Sequence, residues 1–167
     1  KINEAIVYTT FPQRYGHMKG VPRLEKFKNT RILRFYTPEH NNNFFKQVIS
    51  YFYFFLSVLK QVLLKRDDFD IVFATSSRLG TGLLGFLVSK IARKPLCLDI
   101  RDFFSDNLQS VKLFKGLFGK AVTFAFRKIE AKIINHAIWV NFVSPGFLKY
   151  SHYQKKNKKI NFFTNGI

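Results

Sequence analysis

Apolar runs of strand length alternate along the chain with longer segments of helical periodicity. The runs are rich in β-branched and aromatic residues and are bounded by turn residues, as strands usually are. Six strands are predicted in this way: Glu4–Phe11, Arg31–Thr37, Asp70–Ser76, Pro95–Arg101, Ala137–Ser144 and Asn161–Gly166. Several of these runs are apolar at consecutive positions, which is typical of a parallel sheet covered by helices on both faces.

Three helices are predicted between the strands, at Asn43–Arg66, Leu83–Ala92 and Val111–Asn135. The first has an apolar stripe, which would face the core. That stripe consists of Phe45, Val48, Ile49, Phe52, Phe55, Leu56, Leu59, Val62 and Leu63. Repeated strand–helix–strand units predict a doubly wound α/β domain with a mainly parallel, Rossmann-like sheet. A ligand would bind in such a domain outside the carboxyl ends of the strands.

A chain of 167 residues with 47% hydrophobic and 23% charged residues is typical of one folded domain. Its formal charge of +18 would attract phosphate, in nucleic acid, anionic lipid or a phosphorylated ligand. The single cysteine, Cys97, excludes an internal disulfide and indicates a reducing compartment, the cytoplasm. The uncharged stretch Gln47–Leu59 is shorter than the ~20 residues that a membrane-spanning helix needs. The four histidines have no metal-ligand spacing, so no metal site is predicted.

Three glycines, Gly80, Gly82 and Gly85, have the G-x-G-x-x-G spacing of a dinucleotide-binding loop. In that motif the first glycine directly follows the strand, whereas here Thr75–Leu79 intervene. The sequence therefore favours glycines that let a helix pack closely on the sheet. An NAD(P)-binding Rossmann domain is the alternative.

The loop before these glycines is a candidate anion site. It contains Thr75, Ser76, Ser77 and Arg78, which provide hydroxyls, backbone N–H groups and a cation at the carboxyl end of a strand. The alternative is a solvated turn with a side chain that caps the following helix.

Four segments resemble the N-terminal half of glycosyltransferase family 4, in particular bacterial enzymes that build surface polysaccharides. The segments are DIVFATSS, KPLCLDIRDFFSDN, AIWVNFVSPGF and KINFFTNGI, and they stand in the family's order and spacing from Asp70 onward. Members of the family have two Rossmann-like domains that face each other across a cleft, the GT-B fold. The N-terminal domain binds the acceptor, and the C-terminal domain binds the nucleotide-sugar donor.

This resemblance implies that residues 1–167 form a single acceptor domain and that the donor domain is absent. Asn165 and Gly166 would belong to the linker between the two domains. The nucleotide-sugar would bind in the donor domain, so no cofactor is expected in this chain, and the chain alone would transfer no sugar. Glu4–Phe11 and Arg31–Thr37 resemble the family's second and third strands. The favoured expectation is that the family's first strand and first helix are absent from this sequence. The alternative is that Glu4–Phe11 itself takes the central position in the sheet.

The resemblance also assigns candidate acceptor-binding residues. Asp102 would orient or deprotonate an acceptor hydroxyl, Arg101 would bind an acceptor phosphate, and Phe103 takes the family's aromatic position. The alternative is an Arg–Asp pair that only fixes the loop. His17, in a polar loop after the first strand, is a further candidate, with an ordinary surface histidine as its alternative. The main prediction for Ser144 is that it caps the turn from a strand into a helix.

Basic residues accompany aromatic ones in and before the third predicted helix: Lys112, Lys115, Lys120, Arg127 and Lys128. Such a surface suits the headgroups of an anionic membrane, and the alternative is a solvated basic face with its phenylalanines turned inward. The resemblance and this basic surface together lead to the hypothesis that the chain is the acceptor-binding half of a retaining glycosyltransferase. It would act on a lipid-linked or oligosaccharide acceptor at the inner face of the membrane, with a donor domain or partner subunit. A nucleic-acid-binding module is a second alternative, but no helix-turn-helix, RRM core or zinc pattern is recognisable.

Overall fold

The computed structural model of the protein describes residues 4–12, 20–39, 44–64, 69–76, 79–102, 116–149 and 159–164. Two compact units make up the chain, residues 1–64 and residues 65–167. The fold is α/β, as predicted, and the larger sheet is all parallel and flanked by helices in the manner of a Rossmann-like domain. That residues 1–167 act as a single domain stays a prediction.

The first unit consists of a three-stranded sheet and one helix: β1 (Ala5–Thr10), β2 (Leu24–Phe27), β3 (Thr30–Phe35) and α1 (Phe44–Leu64). The middle strand is β3, which runs parallel to β1 and antiparallel to β2. Three of these elements, β1, β3 and α1, were predicted. Among the described residues β1 lies at one edge of this three-stranded sheet, and the alternative that Glu4–Phe11 takes the central position of a larger sheet stays a prediction.

A tight hairpin creates β2, which was not predicted. Lys28 and Asn29 form the two-residue turn between β2 and β3, with Lys28 in the left-handed region at φ 50°. The Arg34 guanidinium fastens the hairpin, because it donates to Glu25 Oε2 at 2.7 Å and to the Pro22 carbonyl at 2.9 Å. Periodicity misses this strand because it is four residues long and its turn lacks the glycine that usually marks such hairpins.

The helix α1 packs through a stripe that contains Ser50, Phe54, Val58 and Val62, all of them buried. The Phe54 ring lies edge-on to Phe35 of β3, with ring centroids 6.0 Å apart. Most of the predicted apolar stripe is at least 50% exposed, namely Phe45, Val48, Ile49, Phe52, Leu56 and Leu63. The expectation that this stripe faces the core is therefore wrong. The helix is apolar around most of its circumference, so periodicity alone does not select its inner side.

The second unit alternates strands and helices: β4 (Val72–Ser76), α2 (Leu79–Ala92), β5 (Leu96–Ile100), α3 (Gly116–His136), β6 (Trp139–Phe142), a 3₁₀ turn (Pro145–Lys149) and β7 (Lys159–Phe162). The four strands are parallel and follow one another in the order β4-β5-β6-β7. Because all four run in the same direction, their carboxyl ends meet at one edge of the sheet. This is the edge at which a doubly wound domain ordinarily binds its ligand.

Alternate strand residues build the core between this sheet and its helices. Leu98, Val140 and Phe142 are buried in one cluster with Ile133 and Ile134 of α3. Side chains of α2 pack against the same cluster. Successive residues of a strand point to opposite faces, so the residues between these core positions face the other way.

The close approach of α2 to β4 explains one glycine. A Cβ atom on Gly85 would lie 2.6 Å from Ala74 Cβ and 3.4 Å from Leu96 Cδ1. Gly80 and Gly82 also lie inside α2. All three glycines therefore belong to the helix, and none lies in the turn after β4 where a dinucleotide loop needs its first glycine. This arrangement supports the packing interpretation.

The carboxyl end of α2 is held by a Schellman motif. Arg93 takes the left-handed conformation at φ 55°, and the Lys94 N–H donates to the Ser89 carbonyl at 3.0 Å. The buried Ser89 hydroxyl donates to the Lys94 carbonyl at 2.6 Å, so it accepts from His136 Nε2 at 3.0 Å. These bonds tie the end of α2 to the end of α3.

Replacing Gly85 with alanine should destabilise the protein by about 1–3 kcal/mol, because the new Cβ overlaps Ala74 and α2 must shift. Urea denaturation monitored by Trp139 fluorescence measures the change. Gly146→Ala is the control, since its Cβ would meet Ser144 Oγ at 3.5 Å, an ordinary contact. Equal stabilities of the two variants would contradict the close contact between α2 and β4.

The Tyr51 hydroxyl of α1 is buried and has no hydrogen-bond partner in the part of the chain that the structure describes. Burial also raises the pKa of this hydroxyl. Tyr51→Phe removes the unsatisfied group, so the free energy of unfolding should rise by about 1 kcal/mol at neutral pH. Above about pH 10 the wild type should lose further stability, because Tyr51 ionises in the unfolded chain but not in the folded one.

Denaturation curves on either side of that pH measure both effects. Tyr53→Phe is the control, because Tyr53 lies on the same helix and is 54% exposed. If both variants behave alike, the Tyr51 hydroxyl is hydrated and the expected gain is refuted.

Candidate ligand-binding site

The register of the four-stranded sheet aligns two rows of side chains on the face opposite the α2–α3 core. One row joins Phe73, Cys97 and Trp139, which are paired across β4, β5 and β6. The next row, closer to the carboxyl ends, joins Thr75, Asp99 and Asn141. Residues paired in register project from the same face, so an aromatic row lies beside a polar row.

The aromatic row forms one wall of the site. The Phe73 and Trp139 rings are 6.2 Å apart between centroids and inclined by 38°. Cys97 lies between them in the row, and burial raises the pKa of its thiol. Phe73 is 60% exposed, so this wall offers apolar ring surface to a ligand.

The polar row is held together by hydrogen bonds around Asp99. Its carboxylate is buried and accepts from Asn141 Nδ2 at 2.6 Å and from Arg101 Nε at 3.0 Å. Asn141 also accepts from the Phe163 N–H at 2.7 Å and donates to the Phe163 carbonyl at 3.3 Å. The Asn141 amide thereby continues the pairing of β7 beyond its last residue and orients both polar groups.

These residues line a cavity of about 480 Å³ that is open to solvent. It is lined by Phe73, Asp99, Arg101, Trp139, Asn141, Phe163 and Thr164. The volume lies within the range of small-molecule sites, and aromatic walls with a few fixed polar groups are their usual lining. The bond from Arg101 Nε to Asp99 uses one of the five N–H donors of the guanidinium, and half of the Arg101 side chain is exposed.

The structure brings together some of the predicted acceptor-binding residues. Thr75 and Arg101 lie beside Asp99 at the carboxyl edge of the sheet. Ser76 ends β4, and Asp102 is exposed two residues after β5. Arg101 forms an ion pair with Asp99, whereas the alternative named a pair of the adjacent Arg101 and Asp102, and that alternative stays a prediction.

Several predictions fall outside the described residues: those at His17, Ser77, Arg78, Phe103, Asn165 and Gly166. The turn prediction for Ser144 is confirmed, because its Oγ accepts from the Gly146 N–H at 3.2 Å at the start of the 3₁₀ turn. No group of three or more His, Cys, Asp or Glu residues that could hold a metal ion occurs within the described ranges.

The predicted membrane residues lie on α3 or before it. Lys120 and Lys128 are exposed on α3 and Arg127 is half-buried, whereas Lys112 and Lys115 lie outside the described residues. Phe124 is 60% exposed, and Lys128 Nζ is 4.7 Å from the centroid of its ring. At this position the phenylalanine is turned outward, contrary to the alternative of a basic face with buried aromatics.

Sequence reasoning did not single out Phe73, Asp99, Trp139 and Asn141 as site residues. Their common signal is weak, since Asp99 and Asn141 are polar residues inside otherwise apolar strands, in LCLDI and IWVNF. Only the register between β5 and β6 reveals that the two side chains meet.

No protein-family model matches this chain and no curated protein matches it, so the resemblance to glycosyltransferase family 4 rests on the sequence segments alone.

Asn141→Ala should lower the free energy of unfolding by about 1–3 kcal/mol, because it removes the donor to Asp99 Oδ1 and the acceptor of the Phe163 N–H. Chemical denaturation measures the loss, and hydrogen exchange at the Phe163 amide should accelerate. Asn135→Ala, at an exposed position of α3, is the control and should change stability little. Unchanged exchange at Phe163 in Asn141→Ala would show that the side chain does not hold β7.

Proposed function

We propose that this chain is the acceptor-binding half of a retaining glycosyltransferase, which transfers a sugar from a nucleotide-sugar to a lipid-linked glycan. The observation that carries the proposal is the cavity on the sheet face opposite the α2–α3 core, where Asp99, Asn141 and Arg101 lie beside the rings of Phe73 and Trp139. Arg101 follows the carboxyl end of β5. The resemblance to glycosyltransferase family 4 supplies the reaction class.

The lining of the cavity suits a sugar. A pyranose ring has apolar C–H faces, which pack on aromatic rings such as Trp139, and hydroxyls at its edges. Both N–H donors of Asn141 are used within the protein, so the pair offers acceptors, through the remaining lone pairs of the Asp99 and Asn141 oxygens. Their geometry is set by bonds within the protein, so little is lost in ordering them when a ligand binds.

In this proposal Arg101 and Asp102 bind the part of the acceptor in which the saccharide is linked to its lipid diphosphate. The remaining N–H donors of the Arg101 guanidinium would bind the diphosphate of a polyprenyl-diphosphate-linked sugar. The exposed Asp102 carboxylate would orient or deprotonate the acceptor hydroxyl. The nucleotide-sugar would be held by a donor domain or partner subunit, so the chain alone would transfer no sugar.

Contact with an anionic membrane surface is part of the proposal, since a lipid-linked acceptor is presented there. Lys120 and Lys128 are exposed on α3 beside the outward ring of Phe124. Each such cation near an anionic surface contributes about 1 kcal/mol. We propose the inner, cytoplasmic face of the membrane as the location.

Binding of a short-chain polyprenyl-diphosphate-linked saccharide tests the proposal. Trp139 and Cys97 are the only tryptophan and cysteine of the chain, and both lie in the aromatic row. A saturable change in Trp139 fluorescence is expected, together with slower alkylation of Cys97 by a maleimide. Arg101→Ala should weaken binding about 10- to 100-fold, as expected for loss of a charge-assisted hydrogen bond.

Arg23→Ala, at an exposed arginine of the first unit, is the matched control and should bind like the wild type. NAD⁺ and duplex DNA are titrated in parallel. A saturable response to either of these, with none to the saccharide, would overturn the proposal in favour of a dinucleotide-binding or nucleic-acid-binding protein.

A further inference from the structure

The exposed apolar stripe of α1 has no role in the proposed acceptor site. It consists of Phe45, Val48, Ile49, Phe52, Leu56 and Leu63, each at least half exposed on a helix of 21 residues. At 1.5 Å per residue the helix is about 32 Å long, and exposed apolar patches of this extent ordinarily mark an interaction surface.

A row of polar-headed residues borders this stripe. Lys46, Tyr53 and Lys60 follow one another at intervals of seven residues, which is close to two helical turns. All three are exposed. Lysine and tyrosine have apolar bodies and polar tips, so at a membrane they place the tip among the headgroups and the body against the acyl chains.

The opposite side of α1 is occupied by its own sheet. Phe54 packs edge-on against Phe35, whose ring is in turn 5.7 Å from that of Tyr8 in β1. The buried residues of α1 lie on this one side, so the helix presents its other side to its surroundings. Insertion across a membrane would carry that sheet, with its charged Arg31 and Arg34, into the hydrocarbon, at a large desolvation cost.

The uncharged stretch Gln47–Leu59 is too short to span a bilayer, but the helical segment around it, Phe45–Leu64, is long and apolar enough to do so, which corrects the expectation on length. Of its apolar window, 17% is buried within the structure. The positions of two lysines favour an orientation parallel to the surface. Lys46 and Lys60 lie in one row along the helix, so a parallel orientation leaves both at headgroup depth. A perpendicular orientation would instead separate them by about 21 Å in depth.

We infer that α1 lies in the plane of an anionic bilayer, with its apolar stripe at the boundary between headgroups and acyl chains and its Lys46–Tyr53–Lys60 row among the headgroups. Anionic lipid is favoured because residues 1–64 contain ten Lys and Arg against three Asp and Glu. This inference does not depend on sugar transfer and holds even if the chain binds no saccharide.

Co-flotation of the full chain with vesicles of phosphatidylcholine containing 30% phosphatidylglycerol tests the inference. Leu56→Glu should reduce vesicle binding at least tenfold, because it places a charge in the apolar stripe. Leu24→Glu is the matched control, since it is the same substitution at a leucine that is 63% exposed on β2. Circular dichroism verifies that both variants fold.

A second measurement separates the two orientations and does not rely on a destabilising charge. In a Trp139→Phe background, single tryptophans are placed by Phe45→Trp and Leu63→Trp, at the two ends of the stripe. Lipids brominated at defined depths should quench both tryptophans equally and most strongly near the headgroups. Different depths for the two ends would overturn the parallel orientation.

Other occupants of the stripe give distinct results. Equal vesicle binding by Leu56→Glu and Leu24→Glu would overturn the inference. The inference would also be overturned if the wild type is a dimer and Leu56→Glu converts it to a monomer without changing vesicle binding. The stripe would then join two copies of the chain. Vesicle binding through α1 should persist at high salt, whereas the electrostatic contact proposed for α3 should weaken. The saccharide titration tests the acceptor site separately.

Discussion

Asp99 places a carboxylate at a buried position of the four-stranded sheet, and the geometry of the candidate site follows from the need to pair that charge. The Arg101 guanidinium and the Asn141 amide satisfy its two oxygens. Asn141 in turn holds Phe163 through its backbone, which brings the end of β7 to the cavity. One buried charge therefore couples three strands at the edge where parallel sheets bind ligands, and it leaves donors of Arg101 directed at that edge.

The two faces of this sheet have different roles. The face toward α2 and α3 is apolar and tightly packed, and the contact of Gly85 with Ala74 shows how little room separates helix from strand. The opposite face carries the aromatic and polar rows. Packing on the first face fixes the strand register, and the register places the side chains of the second. A binding site built in this way depends on a core that its residues do not touch.

The lipid contacts proposed for the two units would depend on different interactions. On α3, exposed lysines accompany one outward phenylalanine, so its attraction to a membrane would be mainly electrostatic. On α1, an apolar stripe is exposed and a lysine–tyrosine row borders it, so burial of apolar surface would dominate. In the proposed function the acceptor is lipid-linked and is presented at the membrane surface, where both kinds of contact would be useful.

The sequence by itself determined the alternation of strands and helices, the parallel α/β class and the glycine packing of α2, because these depend on local periodicity and on residue size. It also located Thr75 and Arg101 at the carboxyl ends of strands. Only the tertiary structure decided that β2 exists, which side of α1 is buried, and that Asp99 meets Asn141. The physical reason is that contacts between residues distant in the chain set the strand register and select which of the apolar sides of α1 is buried. Local periodicity contains no information on those contacts.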